Sequence, residues 1–234
     1  LLGACSHDGD ATQARGADPK LPEPQRGLLP DMKIAEPASW GERRPTVPQG
    51  WTIQAIATEL KIPRQTLVLP NGDILVAEGT GGGAPALRPK DLIANFIKGL
   101  GKSSVEGGNR LTLLRDADGD GTYETQGVFA EDLNAPYGLA LVDGQLFVAN
   151  QDAVVRFDYV DGQTTASGPP ETLTLLPSEI NHHWTKDVIA SPDGRRLYAT
   201  VGSNSNVGEN GMEAEKMRAA VLEIDPGTGA TRVF

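Results

Sequence analysis

The 234-residue sequence predicts an all-β protein. Its 28 glycines and 17 prolines favour a chain rich in turns, and it has no long amphipathic helical pattern. One nine-residue signature, a tight turn followed by an apolar strand, also occurs three times, at residues 70–78, 142–150 and 192–200. A recurring turn-and-strand unit is typical of repeat folds that are built from small β-sheets.

The surroundings of the signatures predict the kind of repeat. A short apolar strand precedes each signature, and a further hairpin-like unit follows it, at residues 110–115, 154–157 and 220–224. Four short strands in a repeat of roughly 50 to 70 residues describe the blades of a β-propeller with loop insertions. A β-sandwich does not predict the recurring signature, and the repeats of a β-solenoid are shorter. We therefore predict a partial β-propeller over residues 51–234, with about three and a half blades.

The first fifty residues differ in composition from the rest. Residues 1–5 are Leu-Leu-Gly-Ala-Cys, which resembles the lipobox at the end of a bacterial lipoprotein signal peptide, with Cys5 as the lipidated residue. The alternative is a chance cysteine, free or buried. Residues 6–50 are rich in proline, glycine and charged residues without apolar periodicity, and they predict a flexible tether. The folded part is expected to begin near Trp51, where residues 51–56 alternate as a strand does.

The net charge and the hydropathy of the sequence argue against two classes of partner, nucleic acids and the interior of a membrane. The formal net charge of −10 argues against a nucleic-acid phosphate backbone. No stretch is long and apolar enough to span a bilayer, so we expect contact with a membrane through the lipid anchor only. The lipobox predicts an exported, periplasmic lipoprotein, and Ser6 after the cysteine favours anchoring at an outer membrane.

Two insertions interrupt the β pattern. Residues 89–99 space apolar side chains at helical intervals and end in glycine, which predicts a short helix. Asp116, Asp118 and Asp120 alternate with small residues like the start of a calcium-binding loop. An EF-hand has glutamate at the twelfth position, which here is Gly127. The segment is either a short calcium-binding hairpin loop or an Asp- and Gly-rich turn, and we favour the turn.

Polar, titratable side chains gather at both ends of one predicted hairpin. Its strands are Asp187–Ala190 and Arg196–Val201, and the polar residues emerge on the same side of the sheet because a hairpin returns on itself. They are Asn181, His182, His183, Ser203, Asn204 and Asn206. Adjacent histidines in an extended chain point to opposite faces, which argues against a shared zinc ion. One histidine suits a general base, and a hydrogen-bonded structural histidine is the alternative.

The motifs around this hairpin resemble those of a known family of enzymes. They are similar to the L-sorbosone dehydrogenase group, whose relatives are the soluble quinoprotein glucose dehydrogenases. The residues that carry this resemblance are His183-Trp184-Thr185-Lys186, Ser191-Pro192-Asp193-Gly194 and Val201-Gly202-Ser203-Asn204-Ser205-Asn206. Segments that fit the same group are 63–78, 135–138, 148–150 and 218–225. The resemblance implies a propeller that is six-bladed when complete and that holds pyrroloquinoline quinone (PQQ).

The resemblance also implies an activity. It indicates a PQQ-dependent oxidoreductase that oxidises an aldose or a sugar aldehyde and passes electrons to an external acceptor, with calcium as a Lewis acid. His183 stands nine residues before Pro192, as the catalytic base of the family does, and so takes that role. Basic residues expected to face the carboxylates of the cofactor are Arg64, Lys186 and Arg218; surface solvation or ion pairs between blades are the alternatives. Residues assigned to the substrate are Trp184, Ser203 and Asn204.

The chain also departs from the family, and two other functions fit the predicted fold. Ser203 stands where the glucose enzymes carry an acidic substrate contact, so glucose specificity does not carry over. The remaining cofactor and calcium ligands of the family would lie beyond Phe234, so these residues alone are expected to be inactive. One alternative is a calcium-dependent lactonase, which would need carboxylate ligands that converge on the central channel, and the Asp116 group is the only candidate for them. The other is a non-catalytic, lipid-anchored binding propeller.

Overall fold

A computed structural model describes residues 16–19, 41–80, 96, 106–179 and 181–234 of the chain. The chain divides into two compact units. The first consists of Leu1–Arg43 and Arg88–Ser104, and its described residues contain no strand. The second consists of Arg44–Leu87 and Val105–Phe234 and contains every strand named below.

The second unit contains three four-stranded antiparallel sheets, each with its strands in chain order. The first sheet consists of β1 (Pro63–Val68), β2 (Ile74–Glu78), β3 (Arg110–Arg115) and β4 (Thr125–Ala130). The second consists of β5 (Leu139–Val142), β6 (Gln145–Ala149), β7 (Ala153–Asp158) and β8 (Glu171–Leu175). The third consists of β9 (Val188–Ala190), β10 (Leu197–Val201), β11 (Ala220–Ile224) and β12 (Thr231–Val233). A single 3-10 turn, Met212–Glu215, lies between β10 and β11.

This architecture confirms the predicted all-β propeller. The three sequence signatures supply the second strand of each sheet, β2, β6 and β10, and the following strand candidates supply the third. Each signature has glycine at its turn with a positive φ, 90° at Gly72, 75° at Gly144 and 70° at Gly194. That conformation is strained for residues with a β-carbon, so the recurrent glycine has a physical cause.

The prediction of a further strand at residues 51–56 is wrong. The described residues form three complete sheets, and this segment pairs with none of them. It is attached to the first sheet by side chains instead: Gln54 donates to the carbonyl of Gly121 at 3.4 Å, and Gln126 donates to the carbonyl of Thr58 at 3.1 Å. Trp51 is 72 % exposed. Alternation alone did not produce a strand here, because strand formation depends on pairing with a neighbouring strand and not on the apolar pattern of the segment alone.

The sheets pack face to face, with their first strands in a row. β5 contacts both β1 and β9, so the loops that lead into these three strands are neighbours. Successive side chains of β6 serve two different cores, because they point to opposite faces of the sheet. Leu146 and Val148 pack between the first and second sheets, whereas Phe147 and Ala149 pack between the second and third. The apolar run of β6 is therefore buried on both faces.

Several predictions about the remaining chain lie outside the described residues. These are the lipidated Cys5, most of the tether at residues 6–50 and the helix at residues 89–99, of which only Phe96 is described, with a helical backbone. Within the described ranges, no helix has the length and apolar character needed to cross a membrane.

The contact between the second and third sheets leads to the first prediction. A β-carbon on Gly138 overlaps the backbone nitrogen of Val188 and lies 2.6 Å from Oδ1 of Asp187. Gly138→Ala is therefore expected to lower the free energy of unfolding by about 2 kcal/mol or more, because backbone atoms must move. Chemical denaturation of both forms measures the difference.

Gly127→Ala is the matched control, since Gly127 lies in β4 and a β-carbon there has no neighbouring atom within 4 Å. We expect that control to change the free energy of unfolding by less than about 1 kcal/mol. Equal effects of the two substitutions would contradict the packing described here.

Candidate active site

The predicted hairpin forms and brings its polar ends together. β9 pairs with β10 in antiparallel register, so residues 181–187 before β9 and residues 202–206 after β10 lie at one end of the sheet. The backbone of Lys186 is fixed to the neighbouring sheet, because its carbonyl accepts a hydrogen bond from the N–H of Gly138 at 3.1 Å. The candidate site is therefore built on the seam between the second and third sheets.

His183 is exposed and is held by one neighbour. Its Nδ1 lies 3.0 Å from both the carbonyl oxygen and the Oγ of Ser203. The hydroxyl of Ser203 donates its own hydrogen to the carbonyl of Ser205 at 2.8 Å, so both Ser203 oxygens act as acceptors toward the imidazole. Nδ1 of His183 then carries the proton, and Nε2 retains an unprotonated lone pair. An imidazole in this tautomer can accept a proton at Nε2.

Gly202 allows this arrangement. A β-carbon on Gly202 lies 2.5 Å from Cβ of His183 and 2.8 Å from its carbonyl oxygen. These contacts are closer than folded proteins tolerate, so a side chain at position 202 displaces the histidine. Gly202 was not among the predicted site residues, because an isolated glycine at a strand end carries no signal of what approaches it.

Lys186 and Arg218 are buried and converge on Asn181. The exposed fractions of these three residues are 0 %, 7 % and 3 %. Nζ of Lys186 lies 3.3 Å from Oδ1 of Asn181, and Nη1 of Arg218 lies 3.2 Å from the same oxygen. The remaining acceptors are backbone carbonyls: that of Trp184 for Lys186, at 3.1 Å, and that of Glu179 for Arg218, at 2.7 Å.

Neither of these cations has a carboxylate within ion-pair distance in the described part of the chain. Burial and the nearby guanidinium of Arg218 lower the pKa of Lys186 from 10.5 to about 8, although Asp152 opposes the shift. Burial also lowers the pKa of Arg218, against the more distant carboxylates of Glu215 and Glu179.

Arg64, the third predicted cofactor residue, joins the same group through Trp184. Its guanidinium carbon lies 5.0 Å from the centre of the Trp184 ring, which is cation–π distance. Nη2 donates to the carbonyl of Thr80 at 3.3 Å, while the buried Nε has no hydrogen-bond partner among the described residues. The three predicted cationic residues are thus linked, by Trp184 and by Asn181, along residues 181–186.

The two other predicted substrate residues contact the protein itself. Ser203 holds His183, as described above. Asn204 is 2 % exposed; its amide donates to the carbonyl of Glu179 at 3.0 Å, and its backbone N–H donates to Glu215 at 2.7 Å. Both residues therefore shape the loop after β10. Their contact with a substrate stays a prediction.

The acidic loop lies on a different part of the first sheet. Asp116, Asp118, Asp120 and Glu124 bring one carboxylate oxygen each within 4.8 Å of the others, in the hairpin between β3 and β4. Glu124 was missed because it does not occupy the EF-hand position for glutamate. Backbone N–H groups of the loop donate hydrogen bonds to these carboxylates. The N–H groups of Gly121 and Gly119 donate to the carboxylate of Asp116 and lower its pKa. These contacts are those of an Asp- and Gly-rich turn, and calcium binding stays a prediction.

Comparison with known proteins agrees with the architecture. The fold is that of the β-propeller domains that occur in PQQ-dependent sugar dehydrogenases. Residues 46–234 match the model of a domain of unknown function, DUF7133, and the chain belongs to that family. A search of curated proteins finds no match.

Solved structures share the fold at low sequence identity. The PQQ domain of pyranose dehydrogenase from Coprinopsis cinerea is 19 % identical with a TM-score of 0.52, over 73 % of this chain and 35 % of that one. A Trichoderma reesei protein of Carbohydrate-Active Enzymes Family AA12, in a structure described as a calcium structure, is 18 % identical with a TM-score of 0.55, over 85 % and 42 %. The chain therefore spans less than half the length of either neighbour.

The buried ammonium of Lys186 leads to a prediction about pH. Its pKa is lower in the folded than in the unfolded protein, so between pH 8 and about 10.5 the unfolded chain binds more protons. The free energy of unfolding should therefore rise with pH across this interval, by about 3 kcal/mol at most. Lys186→Met should remove this rise.

Urea denaturation at a series of pH values measures the effect. Lys61→Met serves as a control, since Lys61 has an exposed side chain and its replacement leaves Lys186 intact. An identical pH response of the wild type and Lys186→Met would refute the assignment.

Proposed function

We propose that the full-length protein is a PQQ-dependent oxidoreductase that oxidises an aldose or a sugar aldehyde, with His183 as its general base. The observation that carries the proposal is the pair of buried cations, Lys186 and Arg218, which share a neutral oxygen and have no carboxylate partner in the described residues. Buried charges in proteins are normally paired. A ligand that brings carboxylates to this seam would supply the missing negative charge.

The chain's own residues fit such a cofactor. PQQ is an aromatic quinone with several carboxylates, and the site offers the cations of Lys186, Arg218 and Arg64 beside the ring of Trp184. Arg64 has a buried Nε without a hydrogen-bond partner in the part of the chain that the structure describes, which leaves a donor for an anionic group. Bound PQQ would supply the two-electron acceptor that takes a hydride from the sugar.

His183 would supply the acid–base chemistry. With Nδ1 hydrogen-bonded to Ser203, Nε2 is the atom that would take the proton from the anomeric hydroxyl of an aldose or from the hydroxyl of a hydrated aldehyde. Loss of that proton places negative charge on the oxygen and favours departure of hydride from the same carbon. The oxidised product is a lactone or a carboxylic acid, and an external acceptor would remove the electrons.

Ser203, the residue that holds His183, does not select one particular sugar. Ser203 is uncharged, so no carboxylate of residue 203 hydrogen-bonds to substrate hydroxyls. The motif from His183 to Lys186, with the turn at residues 191–194, supports a sorbosone-type substrate, an aldehyde that hydrates to a diol. The sorbosone assignment rests on this motif alone.

We propose calcium as a second cofactor, but we assign it no role at the residues described here. The described residues offer one cluster of carboxylates, at Asp116, Asp118, Asp120 and Glu124. That cluster lies between the third and fourth strands of the first sheet and not on the row of first strands beside His183. We assign it no catalytic step, and for the same reason it gives no support to a calcium-dependent lactonase.

The base assignment is tested by comparing two adjacent histidines. In the full-length protein, His183→Gln should lower dye-linked sugar oxidation by about a hundredfold or more, because the proton acceptor is lost. PQQ affinity, followed by absorbance titration in calcium buffer, should change little. His182→Gln is the matched control and should retain most of the turnover. The proposal would be contradicted if the wild type did not bind PQQ, or if His183→Gln kept full activity.

We also propose that the protein is an exported lipoprotein anchored through Cys5, since residues 1–5 fit a lipobox. Expression of the full-length gene with radiolabelled palmitate should label the wild type and release labelled protein only with detergent. Cys5→Ser should abolish the label, because the thiol is the acceptor, whereas the neighbouring Ser6→Ala should retain it. A Cys5→Ser protein that still carries the label contradicts the anchor.

A further inference from the structure

We infer that Asn181 is a positioning residue that holds Lys186 and Arg218 together without neutralising them, and so keeps the anion site charged for its ligand. This inference rests on the proposed function, because the ligand is taken to be the carboxylates of PQQ. Asn181 is one of the polar residues beside the predicted hairpin, and the family resemblance implies no role for it.

The contacts of Asn181 fix the orientation of its carboxamide. Nδ2 donates to the carbonyl of Gln151 at 3.2 Å, which requires an N–H at that position. Oδ1 then faces the interior of the seam, where it accepts from both cations, at 3.3 Å for Lys186 and 3.2 Å for Arg218. With 3 % exposure, the side chain has little freedom to rotate. Asn181 thus ties the second sheet to the two cationic residues of the third.

The neutral acceptor Asn181 contrasts with the charged acceptors of the first sheet. Where cations brace the first sheet, buried carboxylates pair with them: Asp73 binds Arg115 through both oxygens at 2.8 and 2.6 Å, and Glu78 binds Arg110 at 2.8 Å. In each of these ion pairs the carboxylate neutralises the positive charge of the arginine. At the seam an amide stands where a carboxylate would form ion pairs with both cations, so their charge remains available to a ligand.

The groups around the two cations support an incoming anion. The closest polar partners are neutral oxygens, two backbone carbonyls and Oδ1 of Asn181, and the third N–H of the Lys186 ammonium has no protein acceptor in the described residues. Carboxylates act only from beyond ion-pair distance: Asp152 on Lys186, and Glu179 and Glu215 on Arg218. A ligand carboxylate at the seam would therefore meet two incompletely compensated positive charges.

The test replaces the amide by a carboxylate of the same shape. In the ligand-free, full-length protein, Asn181→Asp should keep Lys186 protonated, so the rise of stability between pH 8 and about 10.5 should disappear. In the same variant, PQQ affinity should fall by about tenfold or more, because the cations are already paired.

Two further variants complete the design. Gln54→Glu adds the same charge on an exposed residue beside the acidic hairpin of the first sheet and should leave both readouts as in the wild type. If Asn181→Asp does not fold, Asn181→Leu takes its place: without the shared acceptor the cations separate, and PQQ affinity should again fall by about tenfold.

The outcomes separate this inference from the proposed function. The inference is overturned if Asn181→Asp keeps the pH-dependent rise of the wild type, or if Asn181→Asp or its replacement Asn181→Leu binds PQQ as tightly as the wild type. If the wild type itself does not bind PQQ, the proposed function fails, and the inference then stands or falls on the ligand-free pH response alone.

Discussion

The close packing of β9 against β5 is the constraint on which the candidate site depends. Gly138 has no side chain, so the backbone of residues 186–188 can approach the second sheet closely. The N–H of Gly138 therefore donates a hydrogen bond to the carbonyl of Lys186. That bond fixes the end of the segment that carries His183 and Trp184. On the other side, Asp187 exchanges hydrogen bonds with Thr200, which ties the segment to β10 and to the residues that follow it. The positions of His183 and of the buried cations therefore follow from backbone packing rather than from mobile side chains.

The electrostatics of the seam follow from the same packing. Lys186 lies two residues before β9, where its backbone carbonyl bonds to the second sheet. Its side chain is excluded from water and meets Arg218 at one amide oxygen. Two buried like charges destabilise a fold, and the chain could have offset them with a carboxylate, as it does for Arg115 and Asp73. Retaining the uncompensated charge is a cost to stability that an anionic ligand would offset. The exposed imidazole of His183 lies on the same segment, so the proposed ligand binding and the proposed proton transfer would share one framework.

The sequence predicted the repeat architecture because each blade needs the same glycine turn and apolar strand, and that requirement leaves a visible period. It failed at residues 51–56, where the apolar alternation is present but the segment pairs with no strand of the described sheets. In the site, motif resemblance indicated His183, Lys186 and Arg218, which the structure brings into one region. Asn181 was expected only as a polar residue beside the hairpin. Its shared contact with Lys186 and Arg218, and the contact of Ser203 with His183, were not predicted, because each joins side chains that only the folded chain brings together. The same holds for Gly202, whose role appears only when the approaching atoms of His183 are known.

The most direct test of this account is a crystal structure of the full-length protein with PQQ. We expect one cofactor carboxylate within hydrogen-bonding distance of Arg64, Lys186 or Arg218, and the quinone ring on the side of the site to which Nε2 of His183 points. PQQ bound away from residues 181–186, or protein carboxylates paired with all three cations, would contradict the account.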